Sequence, residues 1–139
     1  MGDGLVMEKV MIKKVGQKPE VVEVEEISLE YMQGIVNGYI EMPYISESLN
    51  VRNIDIVINE EGKLEGLDPN ILLMDKDFQI KDIIVGDILF VSNNKKGKTI
   101  GLSDEQIEDL NKVFTHNAVI TNLGLFNYIK LEGEDILWT

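Results

Sequence analysis

Apolar residues occur in this 139-residue chain as short segments, and turn residues separate one segment from the next. The clearest segment is NIDIVIN, in which Ile54, Ile56 and Ile58 recur at every second position. That spacing places the three side chains on one face of a β-strand. The longest apolar runs, such as ILLM and ILFV, fall far short of the ~20 residues that a helix needs to cross a bilayer. The pattern predicts a core built largely from short strands.

The N-terminal part of the chain predicts a β-hairpin followed by a short helix. Val6–Val15 and the valines of PEVVEVEE are strand-like, and GQKP between them is typical of a turn. Ser28 is a suitable N-cap for the helix, and Gly38 follows it as a stop signal. The apolar face of this helix consists of Leu29, Met32, Ile35 and Val36.

The stretch NEEGKLEGLDPN, residues 59–70, contains two turn signals. The first is EG, after which KLEGL is expected to return as a short strand. The second is DPN, because proline presets φ and the side chains of Asp and Asn bond their local backbone. DFQIKDIIVGDILFVS then predicts an extended pair of strands about Gly86, followed by the polar loop NNKKGKT.

The best-marked element is a second helix that begins after Ser103. Ser103 and Gln106 have the spacing of a capping box, and Asp104 and Glu105 place negative charge in the first turn. Its core face is predicted to consist of Ile107, Leu110 and Val113 or Phe114. Beyond this helix, AVITN, LFNYIKL and DILWT are strand-like.

Together these elements predict an α+β fold, with a mostly antiparallel sheet and two amphipathic helices packed on it. The length fits a single domain over residues 1–139. The opening MGDGLVMEK lacks the long apolar region of a secretion signal, so the expected location is cytoplasmic.

The charge balance is acidic, with 13 basic and 25 acidic residues and a net charge of -12. Such a chain is repelled by nucleic-acid backbones and anionic membranes, so neither is an expected partner. The acidity is either a solubility feature or a surface that imitates nucleic acid. EVEEISLE and EGED are the candidate segments for imitation.

The residues of catalysis and cofactor binding are sparse in this chain. It has no cysteine and a single histidine, His116. These counts exclude a metal site built from several histidines or from thiolates. GKT, residues 97–99, follows a strand as in a phosphate-binding loop, but Ser92 occupies the position of the required first glycine. The sequence therefore predicts a protein without enzymatic activity and without a cofactor.

A few cations are the exception in this acidic chain. Lys95, Lys96 and Lys98 form its only dense basic cluster, and Arg52 is its only arginine. Such local positive charge suits a small anionic ligand held by few contacts. The alternative is a solvated hairpin loop.

Five segments resemble, in this order, the domain of unknown function 3846 family. They are VGQKPEVVEVE, SLEYMQGIVNGYIE, INEEGKLEGLDPN, KDIIVGDILFV and GLSDEQIEDLNKVF. The resemblance covers residues 11–114 and leaves extra C-terminal strands over residues 117–139. The positions that match the pattern of the family are Lys18, Pro19, Gly38–Glu41, Asn59–Leu64, Gly66, Leu67, Asn70 and Gly86. After Asn70 the family commonly carries an arginine, whereas this chain carries Ile71.

The resemblance implies a context, because members of this family occur in bacteriophages and other mobile elements. Small phage proteins without enzymatic motifs often inhibit host defence by binding. We therefore expect a counter-defence protein that acts in the cytoplasm of the host cell and sequesters a small nucleotide-type immune signal. The exposed edges of its short strands also allow self-association into a homo-oligomer. The ligand-binding candidates are Tyr39, Arg52, Asn59, Lys63, Asn70, Lys95, Lys96 and Lys98. The alternatives are an acidic inhibitor or DNA mimic that blocks a host defence enzyme, and a structural protein.

Overall fold

The structure, a computed structural model, describes residues 6–131 as two β-sheets and three helices. The strands are β1 (Glu8–Lys13), β2 (Glu20–Val24), β3 (Ile40–Glu41), β4 (Ile54–Asn59), β5 (Pro69–Met74), β6 (Ile80–Val85), β7 (Ile88–Asn93), β8 (Thr99–Ile100), β9 (Ala118–Thr121) and β10 (Gly124–Lys130). The helices are α1 (Leu29–Val36), α2 (Glu47–Val51) and α3 (Asp104–His116). None of the helices in this described part is long and apolar enough to span a bilayer.

The strands divide into a large and a small sheet. The large sheet has the order β2-β1-β7-β4-β3, with β8 paired to β7, and the small sheet has the order β6-β5-β10-β9. All of the pairs are antiparallel except that of β10 with β5, which is parallel. The predicted α+β class fits this arrangement. The predicted numbers of sheets and helices were wrong, because the described residues form two sheets and include a further short helix, α2.

Local signals located most of the elements correctly. The N-terminal hairpin is confirmed by the pairing of β1 with β2. Ser28 caps α1 by accepting a hydrogen bond from the Tyr31 backbone amide at 3.0 Å. The capping box at α3 is also confirmed, with Gln106 N–H donating to Ser103 Oγ at 3.1 Å and Ser103 N–H donating to Gln106 Oε1 at 2.8 Å.

Two local predictions were wrong. Residues 63–67 form consecutive turns, closed by Leu67 N–H to Gly62 O at 3.0 Å, and not a strand. The strands on either side of Gly86 do not pair, because β6 joins the small sheet and β7 the large one. The predicted stop of α1 before Gly38 is confirmed, and the left-handed residue at this end is Asn37, with φ 59°. The predicted strand DILWT lies outside the described residues.

Both faces of the large sheet are buried, which explains why its central strands are almost continuously apolar. Along β7, Ile88 and Phe90 belong to the core shared with the small sheet and α3, whereas Leu89 and Val91 belong to the core shared with α1. Phe90 also meets Phe114 of α3 edge to face, with ring centroids 5.4 Å apart. Alternate residues of one strand therefore stabilise two separate cores.

The two sheets are joined at a buried junction around Asn70. The register of β5 with β6 shifts between Pro69 and Ile71, so Asn70 lies at a β-bulge, an irregularity that can redirect a side chain. Its Nδ2 donates to Lys13 O at 2.8 Å and to Gly86 O at 2.7 Å, and its Oδ1 accepts from Lys13 Nζ at 2.9 Å. One amide therefore connects the small sheet to the end of β1 and to the crossover between β6 and β7.

We expect Asn70→Ala to destabilise the protein by about 2–4 kcal/mol, because it leaves several buried polar groups without partners. Urea denaturation measures the change in the free energy of unfolding. Asn50→Ala is the matched control, since Asn50 is exposed on α2, and its effect is expected to stay within about 0.5 kcal/mol. Equal effects of the two substitutions would contradict the importance of the junction.

Candidate anion-binding site

A cavity of about 560 Å³ opens where the end of β1 meets the start of β5 and the β9–β10 hairpin. Its polar lining includes Lys13, Lys18, Asp68, Asn70 and Asn127, and its apolar lining includes Phe114, Leu123, Leu125 and Phe126. The volume lies within the range of ~300–1,000 Å³ that is usual for small-molecule sites. Aromatic, cationic and amide groups thus border one space.

Lys13 is the unusual residue of this cavity, because it is a lysine with only 4% of its surface exposed. Its ammonium donates to Asn70 Oδ1 at 2.9 Å and to Lys14 O at 3.2 Å. Both of these acceptors in the described part of the chain are neutral oxygens. Burial lowers the pKa of Lys13, and the negative charge of Asp87 partly opposes this effect. The site therefore holds a cation that burial has separated from water.

The opposite wall of the cavity is formed by the β9–β10 hairpin. Asn127 Nδ2 donates to Phe114 O at 2.8 Å and to Asn117 O at 3.2 Å, which fixes the hairpin to the end of α3. Phe126 is half-buried at the cavity, and Leu125 is exposed. This wall supplies apolar surface to the cavity.

Among the residues predicted from the sequence, Asn70 is the one that lines this cavity. Its amide is also fully engaged in the junction between the sheets, as both of its N–H groups and its oxygen have protein partners. Asn70 consequently positions the ammonium of Lys13, a residue that lines the same cavity.

Asn59 is likewise buried and bonded within the protein. Its Nδ2 donates to Val36 O at 3.1 Å and Asn37 O at 3.3 Å, and its Oδ1 accepts from Glu61 N–H at 2.8 Å. These bonds hold the C-terminal end of α1 against the turn after β4. The family-like position Asn59 therefore has a structural explanation.

Tyr39 and Lys63 lie near Asn59, on two different cavities. Tyr39, 68% exposed, borders a space of about 290 Å³ together with the carboxylates of Glu61 and Glu65. Lys63 borders a neighbouring space of about 510 Å³ and pairs with Asp82, which lowers the pKa of that carboxyl group. The cations and aromatic of this region are thus accompanied by carboxylates, which disfavour an anionic ligand.

The remaining predicted residues lie elsewhere in the fold. Arg52 caps α2, donates from Nη1 to Ser48 O at 3.0 Å and lies 3.6 Å from Asp109 Oδ2 through its Nε. Lys95, Lys96 and Lys98 lie on the exposed loop between β7 and β8, as expected of a lysine-rich hairpin loop. Neither Arg52 nor these lysines line the cavity at Lys13. The eight predicted residues therefore do not form one site.

Sequence reasoning missed Lys13, Phe126 and Asn127. For Lys13 a signal was present, because the alternation along β1 puts it on the same face as Met11, which belongs to the core between the sheets. A lysine at a core position of a strand is unusual. For Phe126 and Asn127 the chain offered no such local signal, since their position depends on the pairing of β10 with β5.

A comparison with protein families gives a match to the profile described as Domain of unknown function (DUF3846), over residues 7–115. The chain belongs to this family. No curated protein and no solved structure matches the chain. The family region includes Lys13, Lys18, Asp68 and Asn70, whereas β9 and β10 lie beyond it. One wall of the cavity therefore comes from the family domain and the other from the following hairpin.

We expect Gly38→Ala to destabilise the protein by about 1–3 kcal/mol, because the added carbon would lie 2.7 Å from Asn59 Nδ2 and disturb a buried amide. Gly34→Ala is the control, since Gly34 lies in α1 with open space around its Cα, and this change should stabilise the helix by about 0.5–1 kcal/mol. Thermal and urea denaturation measure both. Stabilisation by both substitutions would contradict a tight fit at Asn59.

Proposed function

We propose that this protein binds a small, phosphate-bearing nucleotide-type ligand in the cavity at Lys13 and sequesters it without chemical conversion. The observation that carries the proposal is that Lys13 lines the cavity and that its buried ammonium has neutral oxygens as its hydrogen-bond acceptors in the described chain. An ammonium has three N–H donors, and a phosphate oxygen is a strong acceptor for a donor of this kind.

The surroundings of Lys13 support an anion in particular. In a protein with a net charge of -12, a small anion is repelled by most of the surface, so binding requires a local cation. Lys18 adds a second positive charge at the rim of the cavity, on the exposed turn between β1 and β2. A buried cation gains more from an anionic ligand than an exposed one, because water screens it less.

The rest of the cavity suits the other parts of a nucleotide. The apolar side chains of Leu123 and Leu125 line the cavity and offer a surface against which a base can pack. The carboxylate of Asp68 accepts hydrogen bonds from hydroxyl groups such as those of a ribose. Charge, apolar surface and an acceptor are therefore available within one volume of about 560 Å³.

The biological setting of the proposal follows from the family resemblance. A protein of a bacteriophage or mobile element that removes an immune nucleotide from the cytoplasm of its host would act as a counter-defence protein. Sequestration needs a binding site and no catalytic group, which agrees with the scarcity of catalytic residues in the sequence.

A second candidate function, inhibition of a host defence protein by an acidic surface, is favoured by one observation. Glu20 and Glu23 are exposed on β2, the outermost strand of the large sheet, and Glu25 and Glu26 follow them directly. Carboxylates concentrated along this outer edge of the sheet suit a basic surface on a partner protein.

The first test is a thermal-shift and calorimetric titration with cyclic dinucleotides, cyclic oligonucleotides, cyclic ADP-ribose isomers and mononucleotides. A ligand at a hundred times its dissociation constant stabilises the folded protein by ~2.7 kcal/mol. Lys13→Met and Lys18→Ala should each weaken binding, Lys13→Met by at least about tenfold. Lys95→Met, on the distant loop, is the charge-matched control and should bind as the wild type does.

Since Lys13→Met can also affect folding, its unfolding curve is recorded alongside. Lys18 is exposed, so its substitution tests the same cavity without disturbing the core. The absence of a shift with every nucleotide would contradict ligand capture and favour the acidic-surface alternative. Recovery of a chemically altered nucleotide would contradict sequestration.

The affinity for the ligand is expected to fall at alkaline pH. Because burial lowers the pKa of Lys13 below its usual 10.5, the amine loses its positive charge at a lower pH than an ordinary lysine does. An anionic ligand binds the charged form, so binding takes up a proton as the pH rises through the pKa of the free protein. Calorimetry between about pH 7 and pH 10 in buffers of different ionisation enthalpy measures this uptake. A flat profile up to the usual lysine pKa would exclude Lys13 as the charge that binds the ligand.

A further inference from the structure

Strand β9 is the outermost strand of the small sheet, and one of its edges has no neighbouring strand among residues 6–131. Residues 117–129, NAVITNLGLFNYI, contain no charged side chain, although charged residues make up 27% of the whole chain. Ile120 is 82% exposed and Leu125 is 70% exposed. These two side chains are direct cross-strand partners, so they share one face of the hairpin.

The other sheet edges of comparable length in the described chain carry charge. The edge strand β2 has Glu20 and Glu23, and the edge strand β6 has Lys81 and Asp82. Charged side chains on an edge strand oppose pairing with another chain, and natural proteins use them for this purpose. The uncharged, exposed edge of β9 lacks this protection, and the strand contains neither proline nor a bulge.

The face that Ile120 and Leu125 share continues the inner face of the small sheet. Leu125, Asn127 and Ile129 alternate along β10, and Ile129 is buried in the core between the sheets. Leu125 and its partner Ile120 therefore point to the same side as the core but extend past its end, where they remain uncovered. An apolar surface of this kind is available to a strand that continues the sheet.

Charge decides which partner fits this edge. Two copies of a chain with a net charge of -12 repel each other over most of their surfaces, and a charge-free hairpin is the region where they can approach at least cost. Antiparallel pairing of β9 with itself is compatible with a two-fold axis, which places the same residues on both sides of the interface. A basic partner, in contrast, would gain no electrostatic attraction from an uncharged edge.

We propose that two copies of this protein form a dimer by antiparallel pairing of their β9 strands, which joins the two small sheets into one continuous sheet. Ile120 of each copy then gains cross-strand neighbours from the β9 strand of the other copy. The pairing depends on backbone groups and on Ile120, whereas Leu125, which lines the cavity at Lys13, lies on β10, one strand away from the new interface.

Sedimentation equilibrium of the full chain tests the proposal over a concentration series that reaches about 100 µM, because an interface of one short strand is small and its affinity modest. We expect a reversible monomer–dimer equilibrium. Ile120→Lys should raise the dimer dissociation constant by at least about tenfold, because it places like charges opposite each other at the centre of the pairing. Leu64→Lys is the matched control, since Leu64 is 89% exposed, lies on the turns between β4 and β5 and should leave dimerisation unchanged.

Salt provides a second measurement that needs no variant. Raising the ionic strength from about 0.05 M to about 0.5 M screens the repulsion between acidic copies and should strengthen the dimer. Circular dichroism checks that Ile120→Lys is folded, which is expected because Ile120 is exposed. A wild type that remains monomeric throughout the series overturns the proposal, and so does an Ile120→Lys variant that dimerises as strongly as the wild type.

Discussion

The amide of Asn70 joins β5 of the small sheet to the end of β1 in the large sheet, two strands that are not paired with each other in the described chain. Its Nδ2 donates to the carbonyl oxygens of Lys13 and of Gly86 in the crossover, and its Oδ1 accepts from the Lys13 ammonium. The backbone supports the same junction, with Gly86 N–H donating to Asp68 O at 2.8 Å and Val15 N–H donating to Asp87 Oδ1 at 2.9 Å. Because these groups are buried or partly buried, each bond that is lost leaves a polar atom without water.

The same junction creates the chemistry of the cavity. The described residues give this lysine side chain neutral oxygens as its hydrogen-bond acceptors, and these bonds fix its position. The negative charge of Asp87 still partly opposes the lowering of the Lys13 pKa, while one Asp87 oxygen accepts from Val15 N–H. The junction thereby combines a firm contact between the two sheets with a buried cation.

Local signals in the sequence predicted the elements well and their assembly poorly. Ser28, Ser103 and Gln106 determine where helices begin through bonds within a few residues, so pattern reasoning found both helices. Strands β6 and β7 enter different sheets at the crossover around Gly86, whose carbonyl oxygen accepts from Asn70 Nδ2. These two residues lie 16 positions apart, and a local sequence pattern does not reveal a contact over that separation. Asn59 and Asn70 were predicted to be ligand-binding residues, and in the structure their amides bond to groups of the fold.

The parallel pairing of β10 with β5 has a consequence for how this protein can be divided. The small sheet takes β5 and β6 from the middle of the chain and β9 and β10 from its C-terminal part, while β7, β8 and α3 lie between them in sequence. No single cut separates the chain into two pieces that each hold a complete sheet. The family match ends at residue 115, and a fragment that ended there would leave β5 with an open edge in the centre of the molecule. In this protein the hairpin beyond the family region therefore completes the small sheet, and the two parts form one folded unit.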